Sequence, residues 1–161
     1  MADNPFLPLS FIAGPAILTN ACTVMLNGAS IRYNLAIGLW RDLQSDLHGH
    51  ETPIGSHYTD SALALSLAQR RVQLIVRGLI LLYGAVAGFA LATLTGLVGA
   101  FTAGGDSARI VALAKIATLG AGVIGLLFVL AAAMTFVRES RVTTRLLKLG
   151  APIGPLRQGR S

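Results

Sequence analysis

Three long stretches of the chain carry no charge at all: residues 4–31, 78–105 and 116–137. Between and after them, polar and basic residues return. At a rise of about 1.5 Å per residue the shortest stretch reaches roughly 33 Å, enough to cross the hydrocarbon core of a bilayer. Lipid offers no partner to a free backbone amide, so each stretch must be helical. The pattern predicts an all-α membrane protein with three transmembrane helices, spanning about residues 6–30, 78–102 and 110–137. A connection over residues 32–77 joins the first two spans, and residues 150–161 form a disordered tail rich in proline and glycine. The first stretch is long and has Asp3 but no base before it, unlike a signal peptide, so it is expected to be retained.

The internal rhythm of the stretches adds detail. Asn20, Thr23, Asn27, Ser30 and Asn34 follow one another at alternating steps of three and four, which draws a polar stripe along helix one. An amide without a partner is costly in lipid, so the stripe should meet another helix, a sister subunit or water. Helix two carries Gly84, Gly88, Ala92, Gly96 and Ala100 at four-residue steps, and helix three repeats the habit with Ala117, Ala121 and Gly125. Small residues so spaced let two backbones come close, and the expected partner is helix three or another copy. Pro15 deletes a backbone hydrogen bond and should bend helix one near Phe11.

Composition agrees with this picture. Of 161 residues, 53% are hydrophobic and only 12% charged, about half the charge of an ordinary soluble domain. The net charge of +6 could suggest nucleic acid, but the bases are placed otherwise. Arg32, Arg41, Arg70, Arg71 and Arg77 lie between the first two spans, and Arg138, Arg141, Arg145, Lys148, Arg157 and Arg160 follow the third. Bases that border apolar runs mark the cytoplasmic side, so the orientation is N-out and C-in, with cytoplasmic helical extensions. Trp40, Arg32, Arg41, Arg70, Arg71, Arg77, Arg138, Arg141, Arg145 and Lys148 are then expected at anionic lipid headgroups. The segment after helix three reads as a helix lying on the membrane surface, where Glu139 can pair with Arg138 or a neighbouring chain. Thr59 or Asp60 caps a helix that leads into the second span.

An apolar span containing Gly14-Pro15-Ala16 is followed by Arg32 and by Arg41-Asp42-Leu43. The second span is entered by Arg70-Arg71 and Arg77, and the third leaves as Phe136-Val137-Arg138-Glu139. In this order of motifs the chain resembles, over roughly residues 5–149, a bacterial membrane family catalogued as domain of unknown function 2721. It departs from the pattern at Gly38 and Leu39, where a further arginine belongs. The resemblance implies a three-span protein without an assigned activity, and it supplies no catalytic residue.

Chemistry is sparse. His48, His50 and His57, with Glu51 among them, are the weak metal candidates, since their spacing fits no established ligand motif. No span interior holds Asp, Glu or His, which argues against a proton-driven transporter and leaves no axial histidine for haem. Cys22 is a lone thiol in an apolar run and reads as a small filler. No phosphate loop and no nucleophile beside a base is found. The expectation is a non-catalytic, multi-pass protein of the bacterial inner membrane without a cofactor. It should act by assembly, as a homo-oligomer or an accessory subunit, with the bilayer and membrane subunits rather than nucleic acid as partners. The alternative is a small oligomeric channel lined by the polar stripe. A metal-binding regulator or enzyme built on the three histidines comes third.

Overall fold

The computed structural model describes residues 7–47, 60–102 and 108–150, and their side chains over 13–45, 60–102 and 109–150. The described residues form three long helices: α1 (Leu7–Leu47), α2 (Ser61–Thr102) and α3 (Ala108–Leu149). Of these, α2 and α3 are long and apolar enough to cross a membrane. At 42 residues, α2 extends about 63 Å, twice the roughly 30 Å of a hydrocarbon core. The helices therefore continue well past the stretches that hydropathy alone delimits. α1 runs through Pro15 as one element. Asp60 begins α2: its carboxylate accepts from the Leu63 amide at 3.0 Å and its carbonyl from the Ala64 amide at 3.0 Å. An aspartate in that place satisfies amides that the first turn leaves without partners. The connection over residues 103–107, the three histidines and the tail after Gly150 lie outside the described residues.

The chain divides into two compact units. The first comprises Met1–Ile31 and Arg77–Thr135. Within it α2 and α3 run antiparallel at close range. A side chain on Gly88 would meet the backbone of Gly125 and Ala121, one on Gly96 would meet Thr118, and one on Gly99 would meet Ala114. The Thr95 and Thr118 hydroxyls are 3.0 Å apart and join the two helices by a hydrogen bond. α1 adds Cys22, which packs with Ala85 and Phe89, flanked by Val86 and Val129. Around this small core the outward faces are apolar: Phe101, Leu119, Ile116, Leu113 and Ile80 are largely exposed. An apolar surface of this extent suits association with a membrane.

The second unit comprises Arg32–Val76 and Phe136–Ser161. Leu43, Ala64, Ala68 and Leu146 form its core, with Leu39, Trp40, Leu65 and Leu67 packed around them. Trp40 is half-buried against this core, and α1 continues past it to Leu47. One sequence expectation is corrected here: in the segment after the third apolar run Val142 and Leu146 are buried within the unit, so they do not form the apolar face of a surface helix.

One rule accounts for the burial along all three helices. Cys22, Ala29, Ala36 and Leu43 are buried at seven-residue steps in α1. Buried positions in α2 (Ala64, Ala68, Ile75, Leu82, Ala85, Phe89, Ala92) and in α3 (Ala114, Ala121, Ala132, Glu139, Val142, Leu146) keep the same phase. A repeat of 3.5 residues keeps one seam turned toward neighbouring helices, as in coiled coils.

Candidate functional site

Two groups of side chains depart from the apolar pattern. The first is the polar stripe of α1. Asn20, Thr23, Asn27, Ser30 and Asn34 are all exposed. The hydroxyls look after themselves: Thr23 donates to the Thr19 carbonyl at 3.0 Å and Ser30 to the Leu26 carbonyl at 2.9 Å. The asparagine amides take no such route to their own helix. No described residue hydrogen-bonds the side chains of Asn20, Asn27 or Asn34. Other polar groups of the first unit contrast with them. Thr19, Thr93, Thr102 and Thr135 each donate to a carbonyl of their own helix, and of Thr95 and Thr118 one does so while the other donates across to its partner.

The stripe extends further than the sequence reading took it. Ala13 and Ala16 continue the same three-and-four steps toward the N-terminus and are exposed too. From Ala13 to Asn34 this seam carries nothing larger than asparagine. It lies apart from the buried seam of Cys22 and Ala29, and apart from the exposed apolar row of Ile17, Val24 and Ile31. α1 thus has a packed seam, an apolar face, and a seam of small and amide-bearing residues without partners.

The second group lies in the other unit. Glu139 is only 3% exposed, the one buried charged residue among those described. Its Oε1 accepts from Arg71 Nε at 2.7 Å and from Thr143 Oγ1 at 2.9 Å. Arg32 Nη1 stands 3.9 Å from Oε2, with a side chain 59% exposed. One ionic group from each of the three helices converges here. The expected pairing of Glu139 with Arg138 is thereby corrected, because Glu139 occupies a buried seam position and Arg138 is exposed. Arg71 is drawn to Glu139 and keeps only 18% of its side chain exposed. Reading α3 at seven-residue steps would have revealed this, since Gly125, Ala132 and Glu139 share one phase.

Arg41, Arg70, Arg77, Arg138, Arg141, Arg145 and Lys148 are exposed. Of the small-residue set, Gly84 meets the Phe128 ring, Ala92 and Ala121 are buried, and Gly125 abuts Phe89. Ala117 is exposed and takes no part. Among the described residues no cluster of His, Cys, Asp or Glu could hold a metal, and His48, His50 and His57 lie outside them.

The model of the family described as protein of unknown function (DUF2721) matches residues 12–149, and the chain belongs to that family. No curated protein and no solved structure matches it.

Proposed function

We propose that this family member is a non-catalytic, multi-pass protein of the bacterial inner membrane that works by assembling with membrane subunits, either copies of itself or a larger complex. In this reading α1 is the third span, crossing with residues that carry no charge before Arg32. The N-terminus is outside and the C-terminus inside, supported by the bases that border the apolar stretches. Exposed Arg70, Arg77, Arg138 and Arg141 meet anionic headgroups, each adding about 1 kcal/mol.

The observation that carries the proposal is the exposed seam of α1. Its three amides have no partner among the described residues, and a span does not present groups such as Asn20 and Asn27 to lipid without cost. Assembly supplies the missing partners. Support for a non-catalytic role comes from Glu139, whose carboxylate is held by Arg71 and Thr143 inside a packed unit.

The test is the mass of the purified particle in mild detergent. Wild type should contain more than one chain, and a double variant with Asn20→Leu and Asn27→Leu should fall apart into single chains. A wild-type particle of one chain alone would overturn the proposal. A water-filled path along the same seam is the second reading, favoured by its freedom from large side chains. Ion flux in liposomes that Asn27→Leu alters while leaving the particle mass unchanged would select that reading.

A further inference from the structure

We infer that the partner of the exposed α1 seam is a second copy of this chain, lying parallel and in register, so that Asn20, Asn27 and Asn34 each meet their own counterpart. The inference rests on the assembly reading above and names its occupant.

Three features of the seam point to a copy rather than a stranger. First, the amide is self-complementary: it offers two N–H donors and a carbonyl acceptor, so two asparagines facing each other satisfy one another. A cationic or anionic partner helix gains nothing special from an uncharged row. Second, one residue type recurs at a strict seven-residue step, Asn20, Asn27 and Asn34. In parallel helices that supercoil on a seven-residue repeat, equivalent positions face each other across the axis, and asparagine at such a position fixes register. Copies of one chain inserted the same way into a bilayer are parallel by construction, so each asparagine finds its counterpart at the same depth. Third, the intervening positions Ala13, Ala16, Thr23 and Ser30 are small. They let the two backbones approach closely enough for amides to bond.

The two alternatives on the same helix do not qualify. Ile17, Val24 and Ile31 also repeat at seven residues and are exposed, but lipid satisfies them as well as a protein does. The buried seam is already filled by α2 residues at Cys22.

Disulfide trapping tests the inference in the full-length protein, with Cys22 replaced by Ala and the sample in phosphatidylethanolamine–phosphatidylglycerol vesicles. Single cysteines go in at Asn20→Cys, Asn27→Cys and Asn34→Cys, and for comparison at Ile17→Cys, Val24→Cys and Ile31→Cys. A disulfide needs α-carbons within about 7 Å, so only facing positions close readily. Mild oxidation should give a band at twice the chain mass for the asparagine series, several-fold stronger than for the isoleucine and valine series. The band should also survive dilution with added lipid. Equal or stronger trapping at Val24→Cys, or loss of the band on dilution, overturns the inference. If no asparagine position traps and the particle holds a different chain, the second-copy inference falls while the assembly reading stands. If the particle is a single chain, both fall.

Discussion

Gly88 offers a sharp test of the α2–α3 packing. A methyl group built on it would sit 3.0 Å from Gly125 Cα, 3.1 Å from Gly125 N and 3.2 Å from the Ala121 carbonyl oxygen. All three are backbone atoms, which cannot rotate aside as a side chain can. Ordinary carbon contacts lie at about 3.5–4.0 Å, so Gly88→Ala must push the helices apart by several tenths of an ångström. Overpacking of this kind costs about 1–3 kcal/mol. Against it stands the gain in helix propensity of about 1 kcal/mol when glycine becomes alanine. The net expectation is a destabilisation of up to about 2 kcal/mol. Gly84→Ala is the matched comparison. Its methyl would meet the Phe128 ring at 3.4 Å, an ordinary contact, so it should be neutral or stabilising by up to about 1 kcal/mol. Reversible unfolding in mixed detergent micelles, with rising dodecyl sulfate and helicity as the readout, measures both. Gly88→Ala at or above wild-type stability, alongside a weakened Gly84→Ala, would show that α2 and α3 do not meet at Gly88.

Other sites give further outcomes. Glu139→Leu should destabilise the protein by about 2–4 kcal/mol, somewhat under the 3–5 kcal/mol of a fully buried pair because Arg71 retains 18% exposure. Adding Arg71→Met should recover most of that loss in the same assay, and a double variant no better than Glu139→Leu would contradict the pairing. Asn27→Leu removes one amide contact worth about 0.6–2 kcal/mol, so self-association measured by energy transfer in vesicles should weaken roughly 3- to 30-fold. Asp60→Ala should cost about 1 kcal/mol in unfolding and Asp60→Ser much less, since serine also accepts the Leu63 amide. Equal losses for the two would remove the cap from the account.

Much of the architecture was legible in the chain because lipid imposes strict demands. Uncharged runs had to become helices, and Gly88, Ala121 and Gly125 were marked for packing by their size. The extent of the helices was not legible, and neither was the second unit's core. Hydropathy points the wrong way there and in the first unit alike. The most apolar residues of α1, such as Ile17 and Val24, face outward, while its buried seam is built from Cys22, Ala29 and Ala36. Small residues carry little hydropathy signal, so a seam made of them hides in the average. Glu139 was misplaced for a related reason. A charge just past an apolar run normally marks the headgroup level. Here three helices continue together, and a carboxylate on the buried seam is turned inward onto Arg71.

That inversion gives the α1 seam its meaning. In a helix exposed only to lipid, every outward position is free to be Leu, Ile or Val at no cost, and the row Ile17, Val24, Ile31 follows that rule. The adjoining row does not: it places an amide at Asn20, Asn27 and Asn34, to which no described residue supplies a bond. An unpartnered amide in an apolar medium costs roughly 2–7 kcal/mol, so Asn20 and Asn27, which precede Arg32, together cost at least about 4 kcal/mol in the proposed span. Whole domains are stable by only about 5–15 kcal/mol. With α1 as a span, a lone copy would therefore surrender a large part of its stability to these two side chains. Threonines elsewhere in the unit show how cheaply a polar group can be satisfied by its own helix, and asparagine forgoes that route. Satisfying the amides from outside the chain removes the cost, and that makes the seam compatible with the proposed role of α1 as a span.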